Sequence, residues 1–350
     1  MKTVYVGMSG GVDSSVAAAL LKEQGYQVVG VYMKNWTQDV AGVACRWRQD
    51  LADARAAAAR LDLPFKVFDF QAEYKQHVVD VMVSEYQAGR TPNPDVMCNQ
   101  EIKFNLFLKA ALADGADFIA TGHYAATKDG QLLKAVDSNK DQTYFLYRVT
   151  SEALDKTIFP LAGLTKPEVR KLAESYGLPT AKKPDSQGIC FVGEVGLREF
   201  LRQYIETGPG PIVERESGKI LGQHEGAIFY TTGQRHGLGI GGGRPYYVTG
   251  KDMTSNTVFV TADPVDHDLA SDTCTLGQIH WIGEVPQPGR TYQLRSRHRA
   301  ELVDCTFEPA AGGEYIAKLT RPERALTPGQ SAVIYDGDVV IGGGIITRLG

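Results

Sequence analysis

The feature that most constrains this chain is the loop Ser9-Gly10-Gly11-Val12-Asp13-Ser14-Ser15, set between the apolar run Thr3–Gly7 and the small, apolar stretch Val16–Leu21. Paired glycines let the backbone turn sharply and bare its N–H groups, the following helix N-terminus adds positive dipole character, and three serine hydroxyls supply further donors. Such a strand–loop–helix junction is a seat for a multiply charged phosphate group. The G-x-x-x-x-G-K-[ST] spacing is absent, which argues against transfer of a terminal phosphoryl group by P-loop chemistry. A second glycine run, Gly237-Leu238-Gly239-Ile240-Gly241-Gly242, spells G-x-G-x-x-G. It leads into the strand-like Arg244-Pro245-Tyr246-Tyr247 rather than a helix, so the context of a dinucleotide site is missing.

The surroundings of the first loop call for an α/β domain. Strand-like runs Thr3–Gly7, Val28–Met33, Pro64–Phe70 and Phe118–Tyr124 alternate with helical patterns over Ser14–Gln24, Asp50–Leu61, Tyr74–Ala88 and Val96–Ala113, as in a mostly parallel sheet with helices on its faces. Thr165 and Glu168 form a capping-box pattern, with Gly177 as the stop. After Gly208-Pro209-Gly210-Pro211 helical periodicity disappears and short β-rich runs appear, Ala227–Thr231 and Tyr246–Thr249 among them. From about Asp272 the pattern is strands (Thr291–Arg295, Glu301–Phe307, Tyr315–Leu319, Ser331–Tyr335) with hairpin punctuation at Pro309 to Gly313, Pro328-Gly329 and Asp336-Gly337, which predicts a small all-β barrel. The expected division is 1–205, 206–271 and 272–350, in keeping with two or three domains at about 150 residues each. No internal repeat or low-complexity segment interrupts it.

Composition excludes several classes. With 43% hydrophobic and 22% charged residues the usage is that of an ordinary soluble protein. No run approaches the ~18 apolar residues of a membrane span, and the N-terminus has neither the apolar core nor the cleavage site of a signal peptide, so a cytoplasmic protein is expected. A net charge of −4 argues against a sequence-blind basic coat for nucleic acid while leaving room for local basic patches. The five cysteines, Cys45, Cys98, Cys190, Cys274 and Cys305, include no C-x-x-C pair, so neither structural zinc nor any other dedicated metal site is expected. In a reducing compartment such cysteines are buried fillers or reactive thiols rather than staples.

Two of them sit in unusual settings. Thr91-Pro92-Asn93-Pro94-Asp95-Val96-Met97-Cys98 is a rigid entry into the helix Val96–Ala113. With Asp95 as N-cap, Cys98 falls in the first turn, where the dipole favours thiolate and a carboxyl lies near enough for proton transfer. The segment alone equally allows a buried helix cysteine with Asp95 acting only as a cap. Cys190 lies in Asp185-Ser186-Gln187-Gly188-Ile189-Cys190-Phe191-Val192-Gly193, flanked by glycines, and a core cysteine is again the alternative. Farther on, Arg295, Arg297 and Arg299 alternate along an expected strand and would share one face, a compact phosphate-binding stripe or simply a solvated barrel face.

The loop S-G-G-V-D-S-S, the segment T-P-N-P-D-V-M-C-N from Thr91, T-G-H-Y-A from Thr121, K-D-Q-T-Y-F-L from Lys140, S-Q-G-I-C-F-V-G from Ser186, G-Q-R-x-G-L-G-I-G-G from Gly233 and T-P-G-Q from Thr327 occur in one order over nearly the whole chain. Together they resemble the tRNA-specific 2-thiouridylase family of the ATP-pyrophosphatase, or PP-loop, class. The resemblance implies an adenine nucleotide alpha hydrolase-like fold for the first domain, a small mixed central domain and a C-terminal β-barrel. It implies an ATP site on Gly7, Met8, Ser9, Gly10, Gly11, Val12, Asp13 and Ser14, with Met33 and Gly122 beside the adenine and ribose. Cys190 matches the cysteine that carries sulfur as a persulfide, and Cys98 the partner cysteine that closes a transient disulfide with it. Asp95 matches the acid/base at the target base, within the wall Asn93-Pro94-Asp95. His123, Lys140, Asp141, Gln142, Arg297, His298 and Gln330 match tRNA-contacting positions. Relatives often carry an aromatic residue where this chain has His298, a departure that bears on any stacking contact there.

The implied partners are ATP with Mg2+, the tRNAs decoding Lys, Glu and Gln codons, and a sulfur donor such as a cysteine desulfurase or a relay protein, acting on a monomer. The chemistry is coherent. A carbonyl oxygen leaves only when activated, and adenylation activates it. A persulfide is then a strong nucleophile, and a second thiol absorbs its oxidation level as a disulfide. An amide or amidine ligase sharing the loop would not need the cysteine pair, and a non-catalytic ATP-sensing or RNA-binding module would release no pyrophosphate.

Overall fold

The computed structural model describes residues 1–40, 42–185, 196–241, 243–266 and 269–350. Its first sheet is built from β1 (Thr3–Gly7), β2 (Gln27–Lys34), β3 (Phe65–Asp69), β4 (Phe118–Thr121) and a two-residue β7 (Thr157–Ile158), in the order β3-β2-β1-β4-β7 with every pairing parallel. β1 is buried on both faces, Val4 and Val6 toward one core cluster and Tyr5 toward another, which is why it reads as a continuous apolar run. Helices Val12–Glu23 and Trp47–Arg60 and the longer helical runs 71–87 and 94–113 fill the crossovers, within three residues of the expected bounds. Both long runs contain a π-helical stretch, Lys75–Val79 and Cys98–Phe107, that the apolar pattern does not announce. The helix Lys166–Ser175 starts at Thr165, whose N–H donates to the Glu168 carboxylate at 2.7 Å, as the capping box requires.

The central domain is a four-stranded sheet of β8 (Gly210–Glu214), β9 (Ile220–His224), β10 (Tyr247–Asp252) and β11 (Thr257–Thr261), ordered β10-β11-β8-β9. The run over Ala227–Thr231, expected as a strand, instead opens with a 3-10 turn, Ala227–Phe229. Asn256 Oδ1 accepts the Ala227 N–H at 3.0 Å, taking the donor a ladder would have used, and the successive buried residues never alternate as a half-exposed strand does.

Beyond it, β12 (Ala270–Trp281), β13 (Tyr292–Arg295), β14 (Val303–Pro309), β15 (Tyr315–Arg324), β16 (Ser331–Asp336) and β17 (Val339–Leu349) run in the order β12-β15-β14-β13-β16-β17, and β17 pairs back to β12 to close a six-stranded antiparallel barrel. Its interior is a separate apolar cluster holding Cys274 and Cys305, so both are core fillers. β17 also pairs with β6 (Gln131–Leu133), whose partner is β5 (Ala126–Lys128), so a hairpin of the first domain extends the barrel's sheet. Among the described residues no helix is long and apolar enough to cross a membrane.

Phe307 is 1% exposed inside the barrel. Phe307→Ala is expected to lower stability by about 3–5 kcal/mol, read from urea unfolding, whereas Val136→Ala, at a side chain 69% exposed, should stay within about 0.5 kcal/mol of the parent.

Candidate active site

β1 has β2 on one side and β4 on the other, so the crossovers from its two neighbours leave in opposite directions and a crevice opens at the carboxyl ends of β1 and β4. Residues 8–11 and Gly122 lie there. The Ser9 N–H donates to Ser14 Oγ at 3.2 Å, Ser15 Oγ donates to Gly11 O at 2.8 Å, and the Met8 N–H is tied to Val31 O at 2.7 Å. Two glycines are sterically required. Gly10 has φ +77°, and a Cβ there would fall 2.3 Å from Asp50 O. At Gly122 it would fall 2.6 Å from Ser14 N, so the end of β4 presses directly on the first turn of the helix. Met33 Cε lies 2.9 Å from where a Cβ on Gly7 would stand, so the methionine's tip packs against the start of the loop. Met33 thus meets Gly7 at the start of the loop, and Gly122 meets its end.

Two ionic clamps surround this loop. Lys166 Nζ bridges Asp13 (2.7 and 2.8 Å) and Asp185 (2.8 Å), while Tyr124 OH donates to Asp13 at 3.0 Å. Asp185 also receives Lys140 and Arg170, each at 2.7 Å. Partial burial works against the charge on Asp185, but the bonds from Lys140 and Lys166 outweigh it and hold the carboxyl at about 2. Its stabilising contribution is thus present above the ordinary carboxyl range and is lost progressively as pH falls from there through about 2. In the second clamp Lys183 reaches Gly10 O (3.0 Å), Asp50 (2.8 Å) and Asp53 (2.6 Å). Lys166, Arg170, Lys183 and Asp185 were not singled out in the sequence; the signal was the Lys-x-Asp directly before Ser186.

The second half of the site is the start of the run 94–113. Here the N-cap is Asn93, not Asp95, and Pro94 takes the first helical position. Asn93's side chain is spent on the barrel, with Oδ1 accepting the Ser331 N–H at 2.8 Å and Nδ2 donating to Gln330 Oε1 at 3.2 Å. Asp95 is consequently inside the first turn, and Cys98, 3% exposed, stands one residue past it, where the dipole acts more weakly than an Asp95 cap would have given. Burial pushes the Asp95 carboxyl up, against the attraction of Lys103. Lys103 Nζ in turn lies 3.5 Å from His123 Nε2, and His123 Nδ1 is 2.7 Å from Thr121 Oγ1. Burial, reinforced by Lys103, holds His123 neutral. Asp95 is thereby coupled electrostatically through Lys103 to His123, the residue after Gly122 at the corner of the loop. Cys190 lies outside the described residues.

The other expected contact residues divide. Asn93 and Gln330 meet, and Gln330 Nε2 also donates to Thr91 O at 2.8 Å, so T-P-N-P-D and T-P-G-Q form one junction. Asp141 is 4% exposed, accepting from Ala135 N at 2.9 Å and lying 3.6 Å from Arg295; Gln142 accepts the Tyr124 N–H at 3.0 Å. His298 packs on Phe145 with ring centroids 4.7 Å apart. The arginine stripe is corrected: β13 ends at Arg295, Arg299 has φ +66°, and the three do not alternate along one strand. Arg297 turns inward, donating to Thr232 O, Ala325 O and Thr327 Oγ1 at 2.6–3.1 Å.

An α/β domain with a glycine-serine phosphate loop at its switch point, fused to a β-barrel, defines a nucleotide-binding class. The chain matches the tRNA methyl transferase HUP domain over residues 2–194, the tRNA methyl transferase PRC-barrel domain over 198–262 and the aminomethyltransferase beta-barrel domain over 271–346. It is 50% identical over 356 residues to the tRNA-specific 2-thiouridylase MnmA of Paraburkholderia xenovorans, covering 98% of this chain and 93% of that one. The protein of the same name from Methylobacillus flagellatus is 48% identical over 357 residues, covering 99% of each chain. That from Pseudomonas aeruginosa PAO1 is 49% identical over 355 residues, with 98% and 94% covered. The chain belongs to the tRNA-specific 2-thiouridylase MnmA family. Among solved structures, a 4-thiouridine synthetase–RNA complex with bound ATP aligns at 16% identity and TM-score 0.38, over 58% of this chain and 50% of that one.

Because burial raises the folded pKa of Asp95 above its unfolded value near 3.9, the ionised carboxylate destabilises the fold at neutral pH. The penalty is absent below the unfolded pKa, grows as pH rises toward the folded one and is complete above it. Asp95→Asn should therefore melt higher than the parent at pH 7–8, with the gap closing toward about pH 4, as followed by differential scanning calorimetry.

Proposed function

We propose that the protein is a sulfurtransferase that converts the wobble uridine of tRNA to 2-thiouridine. What carries the reading is the placement of Asp95, with Cys98 three residues on in the same helical run, within the electrostatic reach of Lys103, which meets His123 beside a loop suited to pyrophosphate, in a chain of this family. The family profiles carry a methyl-transfer description, but a loop of bare N–H groups and serine hydroxyls fits a pyrophosphate leaving group, which methyl transfer does not produce.

Mg-ATP is the substrate of the first step, bound on Gly7 to Ser14 with Met33 and Gly122 at the nucleoside end. The uracil C2 oxygen attacks the α-phosphorus and pyrophosphate leaves toward the loop's N–H groups. The terminal sulfur of a persulfide on Cys190 then attacks C2 and AMP departs with the former carbonyl oxygen. Cys98 attacks the Cys190 sulfur, the S–S bond to the transferred atom breaks, and thiocarbonyl and a Cys98–Cys190 disulfide result; an external reductant reopens it. Asp95, whose carboxyl burial pushes up from its ordinary value, is the group that moves a proton at the base.

Residues 1–205 form the catalytic part, 206–271 a linking domain and 272–350 a tRNA-contacting barrel. Asn93, Pro94, His123, Lys140, Asp141, Gln142, Arg297, His298 and Gln330 shape the RNA-binding face, Asp141 and Arg297 by holding neighbours in place. The RNA partners are the tRNAs for Lys, Glu and Gln, the sulfur comes from a desulfurase or relay protein, and the enzyme acts as a cytoplasmic monomer.

Mass spectrometry of nucleosides from unmodified tRNA incubated with protein, ATP, Mg2+ and a sulfur donor tests this. A 2-thiouridine signal is expected with the parent and none with Cys190→Ala or Cys98→Ala. Pyrophosphate release with tRNA but no thiolated nucleoside would leave the adenylation half and remove the sulfur assignment.

A further inference from the structure

Where the helical runs 71–87 and 94–113 meet the barrel, the packing leaves a cleft of about 210 Å³. Val81, Met97, Glu101, Tyr147, Arg148 and Ile345 stand on its wall, whereas Asp95, Cys98 and the phosphate loop do not, so it is separate from the site described above. Its charges are unspent. Arg148 makes no ion pair among the described residues, and its Nε is buried without a hydrogen-bond partner. Tyr147 is 0% exposed and its OH is equally unpartnered. Burial raises that phenol, which keeps it a neutral donor. On the helical run 94–113, Glu101 has neither ion pair nor hydrogen bond among the described residues. The other carboxylate on the wall, Glu85, is already closed by two bonds from Arg90, at 2.5 and 2.6 Å. Gln278 reaches the wall from a bulge between β12 and β17, where it holds φ +46°, a conformation that costs a non-glycine residue energy.

We propose that this cleft binds a free α-amino acid with an apolar side chain, its carboxylate on Arg148 and Tyr147, its ammonium on Glu101, and its side chain against Val81, Met97 and Ile345. Buried donors seldom go without an acceptor, so two of them on one wall call for an acceptor that comes from outside the chain. A free carboxylate on the same wall, not paired with the guanidinium, calls for a cation on the same ligand. A small zwitterion satisfies both, and the apolar part of the wall selects the side chain. Because the wall draws on two helical runs and on the barrel strand β17, the ligand joins the segment that carries Asp95 to the barrel.

The test is calorimetric titration of the full chain, without tRNA or ATP, with L-leucine, L-methionine and L-phenylalanine, and with the carboxamide and the N-acetyl derivative of each. At least one of the three amino acids should bind, and either derivative of it should bind about tenfold more weakly or worse, the loss of one charge-assisted contact. Arg148→Met should erase the preference for the acid over its carboxamide, and Arg148→Lys should recover part of it. Glu101→Gln should erase the preference for the free amine over its N-acetyl form and leave the other preference in place. A general loosening of the fold would not separate the two. Melting curves on the same samples establish that each variant is folded; should Arg148→Met fail to fold, Glu101→Gln and the parent's own preferences still decide. If none of the three amino acids binds, if the derivatives bind as tightly as the amino acids, or if folded variants keep both preferences, the proposal is overturned.

Discussion

The close approach of Gly122 to the backbone of Asp13 and Ser14 is the contact on which the rest of the site depends. It fixes how far the ends of β1 and β4 part at the switch point, and so the width of the crevice over the first helix. A methyl group there would meet Ser14 N at 2.6 Å and push the helix N-terminus off the sheet. The residue after Gly122 is His123, which meets Lys103 from the other long helical run. One backbone contact thus sets both the phosphate seat and the distance from it to Asp95 and Cys98.

The barrel supplies the second constraint. Asn93 would be free to cap its own helix, but its amide bridges Gln330 and the Ser331 backbone, and Tyr144 OH donates to Ser331 O at 2.9 Å. Asn99, 2% exposed, reaches Phe145 O at 3.0 Å from the same helix. The turn carrying Asp95 and Cys98 is therefore aligned by residues more than two hundred positions away. Shifting the barrel would move the carboxyl and the thiol together relative to the loop, which ties the domain expected to touch RNA to the groups expected to act on it.

Much of this was legible in the sequence where local rules and tertiary demands agree. The apolar runs of β1 and β2, the serine-glycine loop and the Thr165–Glu168 box each form as written because the local pattern and the packing around it ask for the same conformation. The pieces that were not legible are those decided by distant partners. Asp95 lost the cap position because a barrel strand claims Asn93 and Pro94 favours the first helical turn. The arginine stripe failed because Arg297 satisfies two carbonyls inside the molecule instead of extending β13. The run at Ala227 turned because a single asparagine side chain accepts its first N–H. Lys166 declares itself only when the chain brings it to the loop, and the Lys183-x-Asp185 pair before Ser186 says nothing in sequence about which partners it will meet.

The central claim is that ATP activates the uracil carbonyl so that its oxygen leaves with AMP. Oxygen tracing tests it most directly: tRNA labelled with 18O at C2 of the wobble uridine is turned over with ATP and a sulfur donor, and the nucleotide products are weighed. The account predicts AMP carrying one 18O for each 2-thiouridine formed. Unlabelled AMP alongside thiolated tRNA, or ADP as the nucleotide product, would contradict it.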